Sequence, residues 1–111
     1  MNKKPKKELL GMFGVDSGQV MIGDPCYLSD WKNNEFKTEQ SEMGHKQIQI
    51  KDYSYNGACQ MTINEQMGGE LKNKNGAVLS VVSSTGFGDG VYPVYATKKD
   101  GRVKELTIKF F

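Results

Sequence analysis

Apolar residues alternate with polar ones near the start of the chain, and this pattern predicts a β-hairpin. The turn falls in Asp16-Ser17-Gly18-Gln19, whose central Ser-Gly pair suits a two-residue loop. A turn there sets Val15 opposite Val20. The same register sets Phe13 opposite Ile22, so the four apolar side chains share one face, and a slip of one residue would scatter them.

The strongest local pattern predicts a second hairpin at the C-terminus, where Asp100-Gly101 has the composition of a type I′ turn between two alternating strands. With Lys99 opposite Arg102, the register places Tyr92 on the outward face, away from the core. Pro93 cannot donate to a ladder, so it indicates an edge strand or a bulge.

The middle of the chain predicts further strands. Ile48–Lys51 and Tyr53–Ile63 are rich in apolar and aromatic residues, with an irregularity at Asn56-Gly57. The run Ala77–Ser83 is apolar on both faces, as expected for a central strand that is covered on both sides. Residues 33–47 have no clean period and are interpreted as a loop.

A break in the sheet is predicted after the first hairpin. Asp24-Pro25 ends the strand because proline lacks the N–H that a ladder needs. Ser29 can cap a short helical turn that ends at Lys32, with Trp31 packing this turn onto the sheet. The patterns together predict a mainly β or α+β fold: an antiparallel sheet, or a small sandwich or barrel, with one or two short helical turns.

Length and charge limit what such a fold can do. The chain has 111 residues, of which 37% are hydrophobic, and this is the size of one domain. Residues 1–7 hold four lysines and predict a disordered basic tail in front of a single β-rich domain over residues 8–111. Removing those four charges from the net +2 leaves the domain at −2. A mildly acidic domain argues against duplex nucleic-acid binding.

Residue types also bear on compartment and cofactors. The sequence has no apolar run long enough to span a membrane and no apolar segment behind its first lysines, so we expect a cytoplasmic protein with no membrane partner. Cys26 and Cys59 are then expected to be reduced thiols. With His45 as the single histidine, they do not make a zinc set, and we expect neither a metal nor a cofactor.

Two clusters at strand ends are candidates for a ligand site. Asp24 continues the predicted row of Phe13 and Ile22, so its carboxylate needs a partner over the core. The run Ser83–Gly90 offers backbone amides and hydroxyls that can cradle an anion. A strand rather than a helix follows this run, however, and it has no lysine, so a structural connector is the alternative.

Tyr27 and Tyr92 complete the candidate set, because the predicted core does not require them. The candidate ligand-binding residues are Asp24, Cys26, Tyr27, Ser84, Thr85, Gly86, Gly88, Asp89 and Tyr92.

Three segments carry a resemblance to known proteins. The sequence GVDSG at residues 14–18, the pair Asp24-Pro25 and the sequence GDGVYPV at residues 88–94 resemble a group of small uncharacterised bacterial and phage proteins. The resemblance covers both ends of the chain and not its middle. It implies an all-β or α+β fold in which the two ends lie in one sheet, and it implies no catalytic residue.

We therefore expect a non-enzymatic binding protein, such as a phage-type accessory protein, that binds a small polar, nucleotide-like ligand or a host protein. Its site would join the corner 24–27 to the loop 86–92. One alternative is a small hydrolase or transferase that uses Cys26, with His45 as its base, or Asp24. Another is a structural module that forms homo-oligomers.

Overall fold

The computed structural model describes residues 6–36 and 50–111. The described chain forms two three-stranded antiparallel sheets and two short helices, which confirms the prediction of a mainly β fold. The elements are β1 (Lys7–Val15), β2 (Gln19–Gly23), a 3-10 helix (Pro25–Asp30), α1 (Tyr55–Thr62), β3 (Gly68–Lys72), β4 (Val78–Ser84), β5 (Gly90–Lys99) and β6 (Arg102–Ile108).

The chain divides into two compact units, each containing one sheet. Unit 1 comprises the chain up to Gly18 and from Thr85 onward, with strand order β1-β5-β6. Unit 2 comprises residues 19–84, with strand order β2-β4-β3 and both helices. The N-terminal strand and the C-terminal hairpin thus belong to one sheet, as the resemblance implies.

The predicted N-terminal hairpin is wrong, although both of its strands form. β1 pairs with β5, which sets Phe13 opposite Tyr92, and β2 pairs with β4, which sets Ile22 opposite Val81. The Ser-Gly turn therefore leads from one sheet into the other. Alternation of apolar residues indicates which face of a strand is buried, but it does not identify the partner strand. Asp24 consequently does not extend a row that contains Phe13.

The prediction of strand over 53–63 is also wrong, because this segment contains α1. Ser54 is the N-cap of α1, and its Oγ accepts a hydrogen bond from Gly57 N at 2.9 Å. Ala58 and Met61, three positions apart, turn toward the core of unit 2. Of the strand predicted over 48–51, the first two residues lie outside the described residues, and the other two are not in a strand.

β4 is the central strand of its sheet, as predicted, but it is not covered on both faces. Leu79 and Val82 are buried, whereas Val81 is 48% exposed. A bulge between Leu71 and Lys72 shifts the pairing with β3 at the start of β4. The core of unit 2 consists of Tyr53, Ala58, Met61, Leu71, Leu79 and Val82, with Met21 and Trp31 packed against it.

The C-terminal hairpin forms at the predicted turn, with Lys99 opposite Arg102. The predicted orientation of Tyr92 is wrong, because Tyr92 is buried and its ring packs on Phe13 and Phe110. A bulge between Thr97 and Lys98 also shifts the pairing with β6 by one position. Pro93 lies in the central strand of the sheet rather than at an edge.

β5 can contain Pro93 because the hydrogen-bonded ladder between β5 and β6 ends at the neighbouring residue, Val94. The last paired residues are Val94 and Ile108, and beyond them the Pro93 carbonyl oxygen accepts a hydrogen bond from Lys109 N at 3.4 Å. The N–H and C=O of one strand residue point to the same side of the strand. An N–H at residue 93 would therefore point toward β6 beyond the last paired residues, so proline removes no hydrogen bond of the regular ladder.

The predicted helical turn is real but lies earlier in the chain. The 3-10 helix begins at Pro25 with Asp24 as its N-cap and ends at Asp30, instead of running from Ser29 to Lys32. Trp31 packs on the core as predicted. Of the loop predicted over 33–47, only residues 33–36 are described, and they have no regular structure. Within the described ranges, no helix has the length and apolarity to cross a membrane.

Candidate anion-binding cleft and the predicted site residues

Unit 2 contains an open cleft of about 710 Å³. Three segments that are distant in sequence form its walls: residues 29–32 at the end of the 3-10 helix, residues 51–53 before α1, and residues 72–75 at the end of β3. Each segment contributes lysine, and the four are Lys32, Lys51, Lys72 and Lys74.

Backbone hydrogen bonds hold the three segments side by side. Lys72 N donates to Lys51 O at 2.8 Å, and Tyr53 N donates to Lys72 O at 3.2 Å. On the other side of the same segment, Lys32 N donates to Tyr53 O at 3.3 Å, and Tyr55 N donates to Lys32 O at 2.9 Å. The lysine backbones are therefore fixed before any ligand arrives.

Two parallel bridges bring residues of different segments next to one another. Lys32 pairs with Ser54, and Lys72 pairs with Asp52. Asp52 therefore lies beside Lys72, one of the cleft lysines.

A side-chain cap orders the turn that carries Lys74. Asn73 Oδ1 accepts hydrogen bonds from Asn75 N and Ala77 N, each at 2.9 Å, and Gly76 N donates to Asn73 O at 3.0 Å. This is the backbone-mimicking role typical of asparagine in tight turns. The turn keeps Lys74 close to the other lysines of the cleft.

The cleft has an excess of positive charge. Asp30 and Asp52 are its acidic lining residues, so four ammonium groups face two carboxylates. In the described part of the chain, the ion pairs are Lys98 with Glu8 and Lys104 with Glu105, and none involves a cleft lysine. The cleft can therefore offer its ammonium groups to an anion.

An aromatic pair forms part of the lining. The rings of Trp31 and Tyr53 meet edge to face, with centroids 5.1 Å apart. Tyr53 is buried, and desolvation, followed by the nearby charges of Asp30 and Cys26, raises the pKa of its hydroxyl. Trp31 is half-buried and offers the cleft an aromatic surface.

The first predicted cluster forms the start of the 3-10 helix. Asp24 Oδ1 accepts a hydrogen bond from Cys26 N at 3.0 Å, and Asp24 O accepts one from Tyr27 N at 3.1 Å. Asp24 thus performs the turn role that aspartate has at helix starts. Cys26 and Tyr27 are exposed, and the helix that they begin ends at Asp30 in the cleft wall.

Cys26 is a poor nucleophile in this setting. Desolvation raises the pKa of its thiol, and the carboxylates of Asp24 and Asp30 raise it further. A catalytic cysteine requires the opposite shift, because the thiolate is the reactive form. His45, its predicted base, lies outside the described residues.

We predict that iodoacetamide at pH 8 alkylates Cys26 more slowly than it alkylates a free cysteine peptide. A raised pKa leaves less thiolate at that pH, and Asp24→Asn, which keeps the helix cap but removes the charge, should increase the rate. Peptide-level mass spectrometry separates Cys26 from the buried Cys59. If wild-type Cys26 reacts faster than the peptide, the hydrolase alternative regains support.

The second predicted cluster uses many of its polar groups internally. Thr85 is fully buried, its N–H donates to Gly18 O at 3.0 Å, and its Oγ1 lies 2.6 Å from Gly88 O. The Tyr92 hydroxyl also donates to Gly88 O, at 2.7 Å. Gly86 and Gly88 both have positive φ. These contacts favour the structural-connector interpretation of the loop.

The remaining members of the cluster lie at its two ends. Ser84 ends β4, and its N–H donates to Met67 O at 2.8 Å. Asp89 is exposed, just before β5. Asp24, Cys26, Tyr27 and Ser84 thus lie in unit 2, and Thr85, Gly86, Gly88, Asp89 and Tyr92 lie in unit 1. Their joint site remains a prediction.

The two hydroxyls at Gly88 O give a testable prediction. Thr85→Val and Tyr92→Phe should each lower the free energy of unfolding by about 1 kcal/mol, the net contribution of one hydrogen bond. The double variant should lose more than the sum, because Gly88 O then loses both hydroxyl donors. Urea denaturation of the three variants measures this coupling. A wild-type-like double variant would show that the loop is not held by these bonds.

Sequence reasoning missed the lysines of the cleft, because they come from three segments that only the folded chain brings together. The one local signal is Lys72-Asn73-Lys74-Asn75-Gly76, a pair of lysines next to an Asn-Gly turn. Across residues 6–36 and 50–111, no cluster of three or more His, Cys, Asp or Glu residues has the arrangement of a metal site.

Fold and site together define a small, mainly β protein with two three-stranded antiparallel sheets and a lysine-lined cleft. The chain belongs to the DUF4241 family, described as proteins of unknown function, whose model matches residues 5–108. No curated protein and no solved structure matches the chain.

Proposed function

We propose that this protein is a non-enzymatic binding protein that holds a small anionic ligand in the cleft of unit 2. The observation that carries the proposal is the set of four lysines around one cleft, none of them in an ion pair with a described residue. Lysine ammonium groups are common ligands of phosphate and other anions.

The backbone of the cleft supports this function, because its segments are ordered by hydrogen bonds rather than by the ligand. Lys32, Lys51 and Lys72 belong to the bridged segments, so binding orders only their side chains. Preorganisation of this kind reduces the entropy that binding costs. The volume of about 710 Å³ is in the usual range for small-molecule sites.

The same residues favour binding over catalysis. A hydrolase or transferase that used Cys26 would need a thiolate, and the raised pKa of Cys26 opposes it. Asp24 accepts the Cys26 N–H as a helix cap, which accounts for its position without a chemical role.

The ligand class agrees with the nucleotide-like ligand expected from the sequence, but the proposed place differs. In the joint-site hypothesis, Asp89 takes part in binding, so Asp89→Asn should change affinity. In the cleft hypothesis the same variant should bind like wild type. A phage-type accessory protein that sequesters a small molecule fits either hypothesis, whereas capture of a host protein or self-association would not need the cleft.

Trp31 provides the test, since it is the single tryptophan of the chain and lines the cleft. We expect inorganic phosphate, added at constant ionic strength, to change Trp31 fluorescence with saturation, and chloride to leave it unchanged. Added salt should weaken phosphate binding, because screening reduces the attraction of the lysines. A signal that never saturates, or that chloride reproduces, would contradict an anion site in the cleft.

A further inference from the structure

We propose that the ligand is a phosphate monoester that carries an aromatic ring, the class of the nucleoside monophosphates, and that Asp30 and Asp52 select against more highly charged phosphates. This inference rests on the proposed function, because it concerns the same cleft. It specifies the charge and the shape of the ligand, which the proposed function leaves open, and it assigns a role in specificity to two carboxylates.

The balance of charge in the cleft sets the charge of the ligand. Four lysines and two aspartates leave an excess of two positive charges. A phosphate monoester carries about −1.5 to −2 at pH 7, so it neutralises this excess. Each further phosphate would bring negative charge toward carboxylates that no described ion pair neutralises.

Asp52 cannot easily turn away from a ligand. Its Oδ2 accepts a hydrogen bond from the Ser54 hydroxyl at 3.0 Å, and Ser54 is fully buried at the start of α1. The bridge to Lys72 fixes the backbone of Asp52 as well. This carboxylate therefore stays beside the lysines when the cleft is filled.

Asp30 places a second negative charge near the aromatic pair. It ends the 3-10 helix immediately before Trp31, and its charge is close enough to Tyr53 to raise the pKa of that hydroxyl. Its carboxylate lowers the positive potential of the cleft, so each additional charge of a polyphosphate gains less attraction there.

The aromatic pair of Trp31 and Tyr53 is the reason for proposing an aromatic ring in the ligand. Tyr53 meets the indole of Trp31 edge to face, and the half-buried indole also lines the cleft. A flat ring placed against Trp31 gains stacking, which does not depend on the identity of the base. A bare sugar phosphate would satisfy the lysines but would leave this surface in water.

Four probes separate these contributions: inorganic phosphate, ribose 5-phosphate, adenosine 5′-monophosphate and adenosine 5′-triphosphate, each titrated without divalent cations and followed by Trp31 fluorescence and calorimetry. We expect the monophosphate to bind at least about fivefold more tightly than ribose 5-phosphate, the lower end of what stacking of a base contributes. We expect the triphosphate to bind no more tightly than the monophosphate.

Asp30→Asn tests the specificity role directly, with Glu70→Gln, at an exposed position of β3 in the same unit, as the matched loss of charge. Asp30→Asn should shift the affinity ratio about fivefold toward the triphosphate, the effect of one nearby carboxylate in water. Glu70→Gln should not shift it. If ribose 5-phosphate binds as tightly as the monophosphate, the proposal that the ligand carries an aromatic ring is wrong. If the wild-type protein prefers the triphosphate, the proposal that the carboxylates select against higher charge is wrong. Absence of binding by all four probes would refute the proposed function itself.

Discussion

The substitution Gly57→Ala should lower the free energy of unfolding of unit 2 by about 2 kcal/mol. A Cβ at Gly57 would overlap the carbonyl oxygen of Asp52, which is backbone and cannot rotate away. Overpacking of this kind costs about 1–3 kcal/mol or more, which outweighs the ~1 kcal/mol by which alanine favours a helix over glycine. The close approach brings the first turn of α1 against the segment that carries two of the cleft's charged residues.

A matched control is available within the chain. Gly14 lies in β1 of unit 1, and a Cβ built there meets no atom within 4 Å. Gly14→Ala should therefore leave stability unchanged within about 1 kcal/mol, the range seen where alanine fits without strain. Urea denaturation followed by Trp31 fluorescence reports on unit 2, and circular dichroism reports on the whole chain. Gly57→Ala as stable as wild type would mean that α1 does not approach Asp52 so closely.

Removing two lysines from the cleft should weaken anion binding about 100-fold. Lys51→Gln and Lys72→Gln keep the polarity and most of the length of the side chains but remove two of the four ammonium groups. Each charged hydrogen bond contributes about 1.5–3 kcal/mol, so a tenfold loss for each substitution is the lower bound. Calorimetric titration with adenosine 5′-monophosphate gives the affinities.

The control for this variant has the same change in net charge at another place. Lys99→Gln and Lys104→Gln lie on the C-terminal hairpin of unit 1, outside the cleft lining. This pair should bind within about twofold of wild type, because neither side chain lines the cleft and salt screens charges that make no direct contact with the anion. Equal weakening in both double variants would show that net charge, rather than the cleft, attracts the anion.

The elements that the sequence predicted correctly are those whose structure depends on neighbouring residues. Asp100-Gly101 forms its turn with Lys99 opposite Arg102, because the positive φ that this turn needs is a property of those two residues. The Ser-Gly turn after β1 has equally good local chemistry, yet its flanking strands pair elsewhere. Partner choice is a non-local property, and alternation within one strand does not encode it.

Two errors have identifiable physical causes. Asn56-Gly57 was interpreted as an irregularity in a strand, whereas Gly57 lies inside α1. A glycine is needed there because the Asp52 backbone passes too close for any side chain. Tyr92 was predicted to face outward, whereas its ring packs on Phe13 and Phe110 in the fold. Both faces of β5 carry apolar residues, so alternation along this strand does not indicate which face is buried.

The candidate site was the least accessible to sequence reasoning. Turn-rich clusters such as 83–90 attract attention because glycine, aspartate and hydroxyl residues are adjacent there, and in the fold many of these groups bond one another. The lysines of the cleft are spread from residue 32 to residue 74, and each by itself reads as an ordinary surface charge. Only the backbone bridges of unit 2 bring them together.

A crystal structure of the protein with adenosine 5′-monophosphate would show where the ligand binds. We expect the phosphate within hydrogen-bonding distance of at least two of the four cleft lysines, with the base against Trp31. A ligand bound instead at the loop 85–90, or density in the cleft that is water alone at saturating ligand, would contradict this expectation.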